Sequence, residues 1–323
     1  MSRMFYNPAE EKILAVGSLS STIHQFDLEL NAVGEVRPRE CRELDKEVGI
    51  LSVGYNVSNN RLGAILTSGT LVFWEGSDGF TTQKSISLRN YGDKVFFLEQ
   101  AACWVTVSSN AVNFWDLKEE VVTSTLQVPE AASILDICEL PHLRALCLSI
   151  VGADQRKSLV LFHEGKRKAV IDLGSAACHS LHYHPGTRTL LPLTYTSSLA
   201  IWTVKDLQFD PQLKFVLRGH KGIITCADSL HEAPLLVTGD DAGEIRVWEL
   251  TYMRCLQAVK LTRWLGGIKL IGEHLLYSDS RINLLPLERL VPPRPEKETP
   301  LYLAHQPQEK ALWMFTRKDA RRV

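Results

Sequence analysis

Residues 217–250 read LRGHKGIITCADSLHEAPLLVTGDDAGEIRVWEL. The stretch opens on Gly219 and His220 and closes on Trp248, and the segment GDDAG (239–243) separates two apolar runs. Glycine and aspartate favour tight turns, so the pattern predicts two antiparallel strands joined by a short reversal. A unit of this size cannot bury its own faces, and it therefore predicts further units of the same kind elsewhere in the chain.

Six weaker copies are recognised by the way their third strand ends, on an aromatic or large apolar residue. They are IHQF ending at Phe26, LVFW at Trp74, VNFW at Trp115, LVLF at Phe162, LAIW at Trp202 and INLL at Leu285. With Trp248 included, successive endings are 37 to 48 residues apart, with a mean of about 43. Runs such as LVFW are apolar on both faces, which is typical of sheets covered on both sides.

This pattern resembles the WD-repeat family, in which Gly-His opens and Trp-Asp closes a unit of about 40–45 residues. Residues 217–250 are the one stretch that resembles the family without support from the rest of the chain. The regular spacing of the strand endings extends the resemblance over most of residues 1–290. The resemblance implies an all-β fold, a seven-bladed β-propeller of four-stranded antiparallel blades. The alternative is an eight-bladed ring or a truncated longer array, because LYLAHQP and KALWMF follow a proline-rich segment as two further strands.

The spacing also predicts where the blades begin and end. We expect a propeller over 1–305, followed at 306–323 by a closing strand or the start of a further repeat with a basic tail. The expected blades are 1–40, 45–90, 91–130, 131–175, 176–215, 216–261 and 262–305.

Bulk composition narrows the partners and the compartment. The formal net charge is −1 and the pI is about 6.8. The chain therefore has no excess of positive charge that would attract a nucleic acid, and we expect no nucleic-acid binding. The seven cysteines form no Cys-x-x-Cys pair, and no apolar run has the length of a signal peptide core or a membrane span. We therefore expect a cytoplasmic protein, with nucleus or cilium as alternatives, that binds neither membranes nor a small-molecule substrate.

Motifs for catalysis or cofactors are missing from the sequence. It contains no Walker loop, Gly-x-Gly-x-x-Gly, His-Glu-x-x-His or Gly-x-Ser-x-Gly motif. The histidine-rich run CHSLHYH (178–184) lies on an expected strand, where its side chains spread along the chain and cannot converge on one zinc ion. We predict no enzyme activity, no cofactor and no metal.

The resemblance implies a buried hydrogen-bond network within the strongest blade. In the family, a histidine, a strand hydroxyl, a turn aspartate and the closing tryptophan form such a network, which here corresponds to His220, Thr238, Asp241 and Trp248. A structural role is favoured over nucleophilic catalysis because buried polar groups must be paired.

The function implied by the resemblance is a non-enzymatic scaffold or adaptor in a multiprotein complex. Partners would dock on the top face, formed by the loops before the first strands and the turns before the third strands. The expected docking residues are Tyr91, Lys94, Arg218, Lys221, Asp240, Arg263 and Trp264. Trp115-Asp116-Leu117-Lys118 is close to a motif of ubiquitin-ligase substrate receptors, which is the alternative function. A propeller enzyme with a site in its central channel is a further alternative, but most channel positions, as in GILSV and GIITC, are apolar or small.

Overall fold

The computed structural model describes most of the chain as consecutive antiparallel strands. The described residues are 3–8, 10–17, 20–40, 48–88, 92–204, 210–230, 233–279 and 281–290, with the backbone alone at 302–306, 311–315 and 320–322. Tyr91 lies outside them. No helix in this part of the chain is long and apolar enough to cross a membrane.

Six sheets have four strands each, paired in chain order from the first strand to the fourth. Blade one contains β1 (Arg3–Asn7), β2 (Lys12–Val16), β3 (Ile23–Phe26) and β4 (Ala32–Val36). Blade two contains β5 (Ile50–Asn56), β6 (Arg61–Leu66), β7 (Thr70–Glu75) and β8 (Gln83–Ser87). Blade three contains β9 (Lys94–Leu98), β10 (Cys103–Val107), β11 (Ala111–Asp116) and β12 (Val121–Gln127).

The second half of the chain continues in the same way. Blade four contains β13 (Ala131–Leu140), β14 (Ala145–Gly152), β15 (Lys157–His163) and β16 (Lys166–Asp172). Blade five contains β17 (Cys178–His184), β18 (Thr189–Thr194), β19 (Ser198–Val204) and β20 (Pro211–Arg218). Blade six contains β21 (Ile224–Ser229), β22 (Leu235–Asp240), β23 (Glu244–Glu249) and β24 (Arg254–Lys260). Single turns of 3-10 helix occur at Gly76–Asp78, Pro141–Leu143 and Leu287–Arg289.

Blade seven has three strands in the described part of the chain: β25 (Gly267–Ile271), β26 (His274–Ser278) and β27 (Ile282–Pro286). Three more, β28 (Tyr302–Gln306), β29 (Ala311–Phe315) and β30 (Ala320–Arg322), pair with one another in a separate sheet. The seven-bladed fold is confirmed. The assignment of 306–323 to a closing strand or a further repeat stays a prediction.

All seven strand endings found in the sequence lie in the third strand of their blade. These are Phe26 in β3, Trp74 in β7, Trp115 in β11, Phe162 in β15, Trp202 in β19, Trp248 in β23 and Leu285 in β27. The spacing of about 43 residues therefore measured the repeat of one blade.

Each blade buries both of its faces because consecutive side chains on a strand point to opposite sides. In β14, Leu148 packs into the core shared with blade three and Cys147 into the core shared with blade five. In β15, Val160 packs into the core shared with blade three and Leu161 into the core shared with blade five. The described residues form seven hydrophobic clusters, one for each interface between neighbouring blades.

The ring closes by side-chain packing between blades one and seven. Met4 and Ile13 of blade one share a buried cluster with Ile271 and Leu276 of blade seven. The two ends of the propeller are therefore held together across this seam by apolar contacts.

Polar side chains on the first strands join successive blades. Ser52 Oγ accepts a hydrogen bond from the backbone N–H of Val95 (3.1 Å), and Asp136 accepts one from Leu181 (2.7 Å). Asp228 accepts the N–H of Leu270 at 2.8 Å. Each acceptor satisfies a backbone donor of the following blade, which orients the blades around the axis.

Candidate protein-docking surface

The alternating direction of the strands decides which loops share an end of the propeller. The chain enters each first strand at one end, returns in the second strand, and turns there into the third. The loops before the first strands and the turns before the third strands therefore lie together, and we call this end the top face. In blade six it includes residues 218–223 and 241–243.

Blade six contains a buried chain of hydrogen bonds beneath the top face. Trp248 Nε1 donates to Thr238 Oγ1 at 2.8 Å, and Thr238 Oγ1 lies 2.6 Å from His220 Nε2. His220 Nδ1 lies 3.0 Å from a carboxylate oxygen of Asp240. Because tryptophan can only donate and the carboxylate accepts, the chain is satisfied when Thr238 donates to Nε2 and the histidine proton is on Nδ1.

The carboxylate in this network belongs to Asp240, so the prediction of Asp241 was wrong. Thr238 and Asp240 are two residues apart on β22, so their side chains lie on the same face of the blade. Asp241 follows the strand, and its side chain is exposed and accepts the backbone N–H of Ile223 (2.8 Å). His220, Thr238 and Trp248 are brought together as the resemblance implied.

The pKa shifts agree with a neutral histidine beside a charged aspartate. Burial lowers the pKa of His220 and outweighs the opposing effect of the hydrogen bond that the ring donates to Asp240. Burial by itself raises the pKa of Asp240, but hydrogen bonds from the N–H of Glu244, from His220 and from the N–H of Gly222 hold it below its usual range. The network is therefore assembled at neutral pH with a single buried charge.

His220, Asp240 and Glu244 offer ligand atoms within 4.8 Å of one another, which raises the question of a cation site. Both ring nitrogens of His220 are already hydrogen-bonded. Glu244 Oε1 pairs with Arg246 Nε at 2.6 Å. A metal ion would have to displace these partners, so the cluster is explained as the hydrogen-bond network of the blade.

Two other blades keep only part of this network or none of it. In blade three, Trp115 Nε1 donates to Thr106 Oγ1 at 2.9 Å. In blade five, the residue equivalent to Thr238 is Pro192, and the buried Nε1 of Trp202 has no hydrogen-bond partner among the described residues. Pro192 has no hydroxyl to offer, which explains the unsatisfied indole. The sequence showed the tryptophans but not which of them had kept an acceptor.

Three large apolar side chains are exposed along the top face of blades five to seven. Tyr195, Ile223 and Trp264 have exposed fractions of 62%, 39% and 46%. The Tyr195 ring stacks on His179 at a centroid distance of 4.3 Å, and His179 Nε2 lies 3.4 Å from the carbonyl oxygen of Thr225 in blade six.

Blade six is joined in turn to blade seven beside Trp264. Thr225 Oγ1 donates to the carbonyl of Leu265, the residue after Trp264, at 2.8 Å. The three apolar side chains therefore follow one continuous arc across three blades, which we call the blade 5–7 arc.

Cationic side chains accompany the blade 5–7 arc. Arg218, Lys221 and Arg263 are exposed, and none of them forms an ion pair within the described residues. Asp241 and Asp279 are the nearby carboxylates, and both accept hydrogen bonds from backbone N–H groups. The arc thus combines apolar anchors with unpaired positive charge.

The seven predicted docking residues have different locations. Arg218, Lys221, Arg263 and Trp264 are exposed on the top face. Asp240 is fully buried in the network of blade six, so it is removed from the docking set.

Lys94 differs from the exposed set because it is partly buried. Its Nζ donates to the carbonyl of Ile134 at 2.6 Å, and burial lowers its pKa. Lys94 therefore joins blades three and four. The prediction for Tyr91 falls outside the described residues.

The histidine-rich run 178–184 forms β17 and has structural roles. His184 Nε2 lies 2.8 and 2.9 Å from the carbonyls of Leu230 and Ala233, and its Nδ1 accepts the N–H of Thr187 at 3.0 Å. His182 lies near Asp136 and Asp228, and burial lowers its pKa despite these carboxylates. Polar residues on first strands thus join neighbouring blades, a role that the sequence pattern did not indicate.

The segment 115–118, which suggested a ligase receptor, contains the last two residues of β11 and the first two of the turn that follows. Asp116 Oδ1 accepts the backbone N–H of Lys118 at 2.8 Å, and the Lys118 side chain is exposed. The ligase alternative stays a prediction.

Comparison with known proteins gives matches in sequence and in structure. Human apoptotic protease-activating factor 1 is 41% identical over 58 residues, 18% of this chain and 5% of that protein. Human angio-associated migratory cell protein is 33% identical over 79 residues, 24% of this chain and 17% of that protein. The matched segments thus span a small part of either relative. No family model matches the chain.

The β-propeller domain of Cps50 (Swd1) from Myceliophteria thermophila has the same fold. Its TM-score is 0.69 at 13% sequence identity, and the alignment covers 87% of this chain and 94% of that one. The fold and the ring of blade interfaces define a seven-bladed β-propeller. With the blade-six network and the short matches to two WD-repeat proteins, the chain is similar to WD-repeat proteins in fold and in part of its sequence.

Proposed function

We propose that the protein is a non-enzymatic scaffold that binds another protein on the top face of blades five to seven. The observation that carries the proposal is the blade 5–7 arc, in which Tyr195, Ile223 and Trp264 are exposed although most large apolar side chains are buried. Tyrosine, tryptophan and arginine are the residue types that most often anchor protein interfaces. Propellers of this kind are generally protein-interaction modules, and the arc supports that role here.

The charge beside the arc favours an acidic partner. Arg218, Lys221 and Arg263 present three cations without ion pairs in the described structure, and Lys221 and Arg263 lie close in sequence to the exposed Ile223 and Trp264. A partner segment with carboxylates next to a large apolar residue matches both features, since complementary charge speeds encounter and selects the partner. The free cysteines favour a reducing compartment, so we place this interaction in the cytoplasm.

The polar residues near the axis of the propeller form hydrogen bonds between blades, which argues against a catalytic role for them. Asp136 and Asp228 accept backbone N–H groups of the next blade, and Lys94 donates to a backbone carbonyl. These side chains are occupied in joining blades. This supports a scaffold over an enzyme with a site in the central channel.

The proposal is tested by capture of partners with the purified chain carrying an affinity tag. Trp264→Ala and Lys221→Glu are expected to lose a stoichiometric protein partner that the unchanged chain retains, with the circular dichroism spectrum preserved. Lys166→Glu, on the outer strand of blade four, is the matched control and should retain the partner. Retention of every partner by the double variant Trp264→Ala/Lys221→Glu would show that the arc is not the docking surface.

A further inference from the structure

The outermost strand of a blade presents an edge with unpaired backbone groups. Proteins protect such edges from pairing with other chains by placing charged residues or proline on them. Five of the six outermost strands in the complete blades carry such residues: Glu35 on β4, Lys84 on β8, Lys166 on β16, Lys214 on β20 and Arg254 on β24. The sixth, β12 of blade three, reads VVTSTLQ and carries neither a charge nor a proline.

A cavity of about 970 Å³ lies beside this unprotected edge, between blades three and four. Its apolar lining includes Phe114 and Leu126 from blade three and Leu146 and Phe162 from blade four. Phe114, Leu126 and Leu146 are only partly buried, so an incoming apolar side chain can cover them further. The volume is in the range that binding sites in proteins commonly have.

The cavity follows the edge of β12 rather than one of its faces. Ser124, Thr125, Leu126 and Gln127 are consecutive, and all four line the cavity. Since neighbouring side chains on a strand point to opposite faces, consecutive residues line one space only where that space meets the strand edge. An extended segment lying there would reach both the backbone groups of β12 and the apolar lining.

The charged residues around the cavity favour a basic segment. Glu139, Glu164 and Arg144 line it, so carboxylates outnumber cations. The Glu164 side chain is 82% exposed, and its Oε1 lies 3.9 Å from Nε2 of His163. Glu139 already accepts the backbone N–H groups of Gln100 and Ala101, which leaves Glu164 as the accessible carboxylate.

We propose that an extended, basic segment of a partner protein adds as a fifth strand to the edge of β12 and places an apolar side chain in the cavity between blades three and four. Strand addition supplies affinity through backbone hydrogen bonds, while the cavity and the carboxylates supply specificity. This surface is separate from the blade 5–7 arc and has the opposite charge preference. The propeller would therefore hold two chemically different partners at once.

The test uses defined peptides and the full chain, with binding measured by fluorescence anisotropy. The probe is an acetylated and amidated peptide, RKVTLTVKR, which is basic, apolar at its centre and able to form a strand. One control is EDVTLTVDE, which has the opposite charge. The other is RKVPLPVKR, which keeps the charge but lacks two of the backbone donors that a ladder needs.

Three variants address the edge, the cavity and the charge. Ser124→Lys gives β12 the kind of protection that other outer strands have, Leu126→Ala enlarges the cavity, and Glu164→Lys reverses the accessible charge. Each is expected to weaken binding of RKVTLTVKR by about tenfold or more, since a tenfold loss corresponds to about 1.4 kcal/mol. Val33→Lys, which adds the same charge to the outer strand of blade one, should leave binding unchanged.

Several results would overturn the proposal. Equal binding of RKVPLPVKR would mean that charge alone attracts the peptide, and no binding of RKVTLTVKR at any soluble concentration would mean that the edge accepts no such segment. A dimer in sedimentation that Ser124→Lys dissolves would identify a second copy of this chain as the occupant. Trp264→Ala should not affect peptide binding, so failure here and failure of the top-face proposal are distinguishable.

Discussion

Thr238 is the residue on which the strongest blade depends, because one hydroxyl serves two buried partners. Its Oγ1 accepts from Trp248 Nε1 and bonds His220 Nε2. Thr238→Val keeps the shape of the side chain but leaves both groups without a partner. At about 1–3 kcal/mol for each unsatisfied buried group, we expect the free energy of unfolding to fall by about 3 kcal/mol.

Thr106→Val is the matched comparison for this prediction, because Thr106 serves Trp115 in the same way. Its loss should be roughly half as large, about 1–2 kcal/mol, since no histidine depends on it. Urea denaturation followed by tryptophan fluorescence measures both. Equal losses would mean that His220 gains nothing from the network.

The lowered pKa of His220 makes the stability of the protein depend on pH. The unfolded chain binds a proton on this histidine below about pH 6.5, whereas the folded chain resists it because the ring is buried. The unfolded state therefore gains stability as the pH falls below that value, and the effect levels off below the folded pKa. The contribution is present at neutral pH and is lost on acidification, by at most about 1.4 kcal/mol per pH unit.

The measurement compares the unchanged chain with His220→Gln in urea between about pH 7.5 and about pH 5.5. The stability advantage of the unchanged chain should shrink across this range. His179 and His182, whose pKa values burial also lowers, are present in both proteins, so their effects cancel in the difference. A difference that stays constant or grows on acidification would contradict the prediction.

His220 and Trp248 were predictable from the sequence because they occupy fixed places at the two ends of the repeat. The carboxylate was misassigned to Asp241 because two aspartates adjoin and only the strand register decides which faces inward. Lys94 was misplaced for a similar reason, since its position near a loop does not show that its side chain reaches the carbonyl of Ile134. Side-chain direction at the ends of strands was the information that the sequence lacked.

At the scale of strands, third strands were predictable and fourth strands were not. A third strand packs on both faces and ends in a large side chain, which leaves a clear pattern at Trp74 or Trp202. A fourth strand such as β12 lies at the edge and is mostly exposed, so polar residues such as Ser124 do not reveal it. The cavity beside β12 depends on how two blades pack, which no local pattern records.

Strand β18 contains a proline, Pro192, whose substitution should stabilise the protein. Pro192 lies in the second strand of blade five, where it lacks a backbone N–H and stands opposite Leu181. It also occupies the position that would offer a hydroxyl to the unsatisfied Nε1 of Trp202. We expect Pro192→Thr to raise the free energy of unfolding by about 1 kcal/mol, since an unmade buried hydrogen bond costs at least that much.

Pro192→Val separates the two parts of this effect. Valine restores the backbone N–H without a hydroxyl, so it should recover less stability than threonine. Thermal denaturation of the unchanged chain, Pro192→Val and Pro192→Thr gives the order of their stabilities. A threonine variant that is no more stable than the valine variant would show that Trp202 gains no partner.

At the scale of the whole molecule, stability is distributed over seven blade interfaces of unequal size. Among the described residues, the seam between blades one and seven has five buried core residues, whereas the other six interfaces have eight to fourteen. Blade seven also has three strands in the described structure, while the other six have four. Interfaces that bury less apolar surface open at lower free energy, so the seam should be the first part of the ring to separate.

Hydrogen exchange measured by mass spectrometry tests this order of opening. Backbone amides of β1–β3 and β25–β27 should exchange faster than those of β13–β15, which lie across the ring. Leu276→Ala at the seam should accelerate exchange mainly in blades one and seven. Leu236→Ala, between blades five and six, should lower protection across the ring, because a buried Leu→Ala change costs about 2–5 kcal/mol. Uniform protection in all blades, with the same pattern for both variants, would show that the ring opens as one cooperative unit.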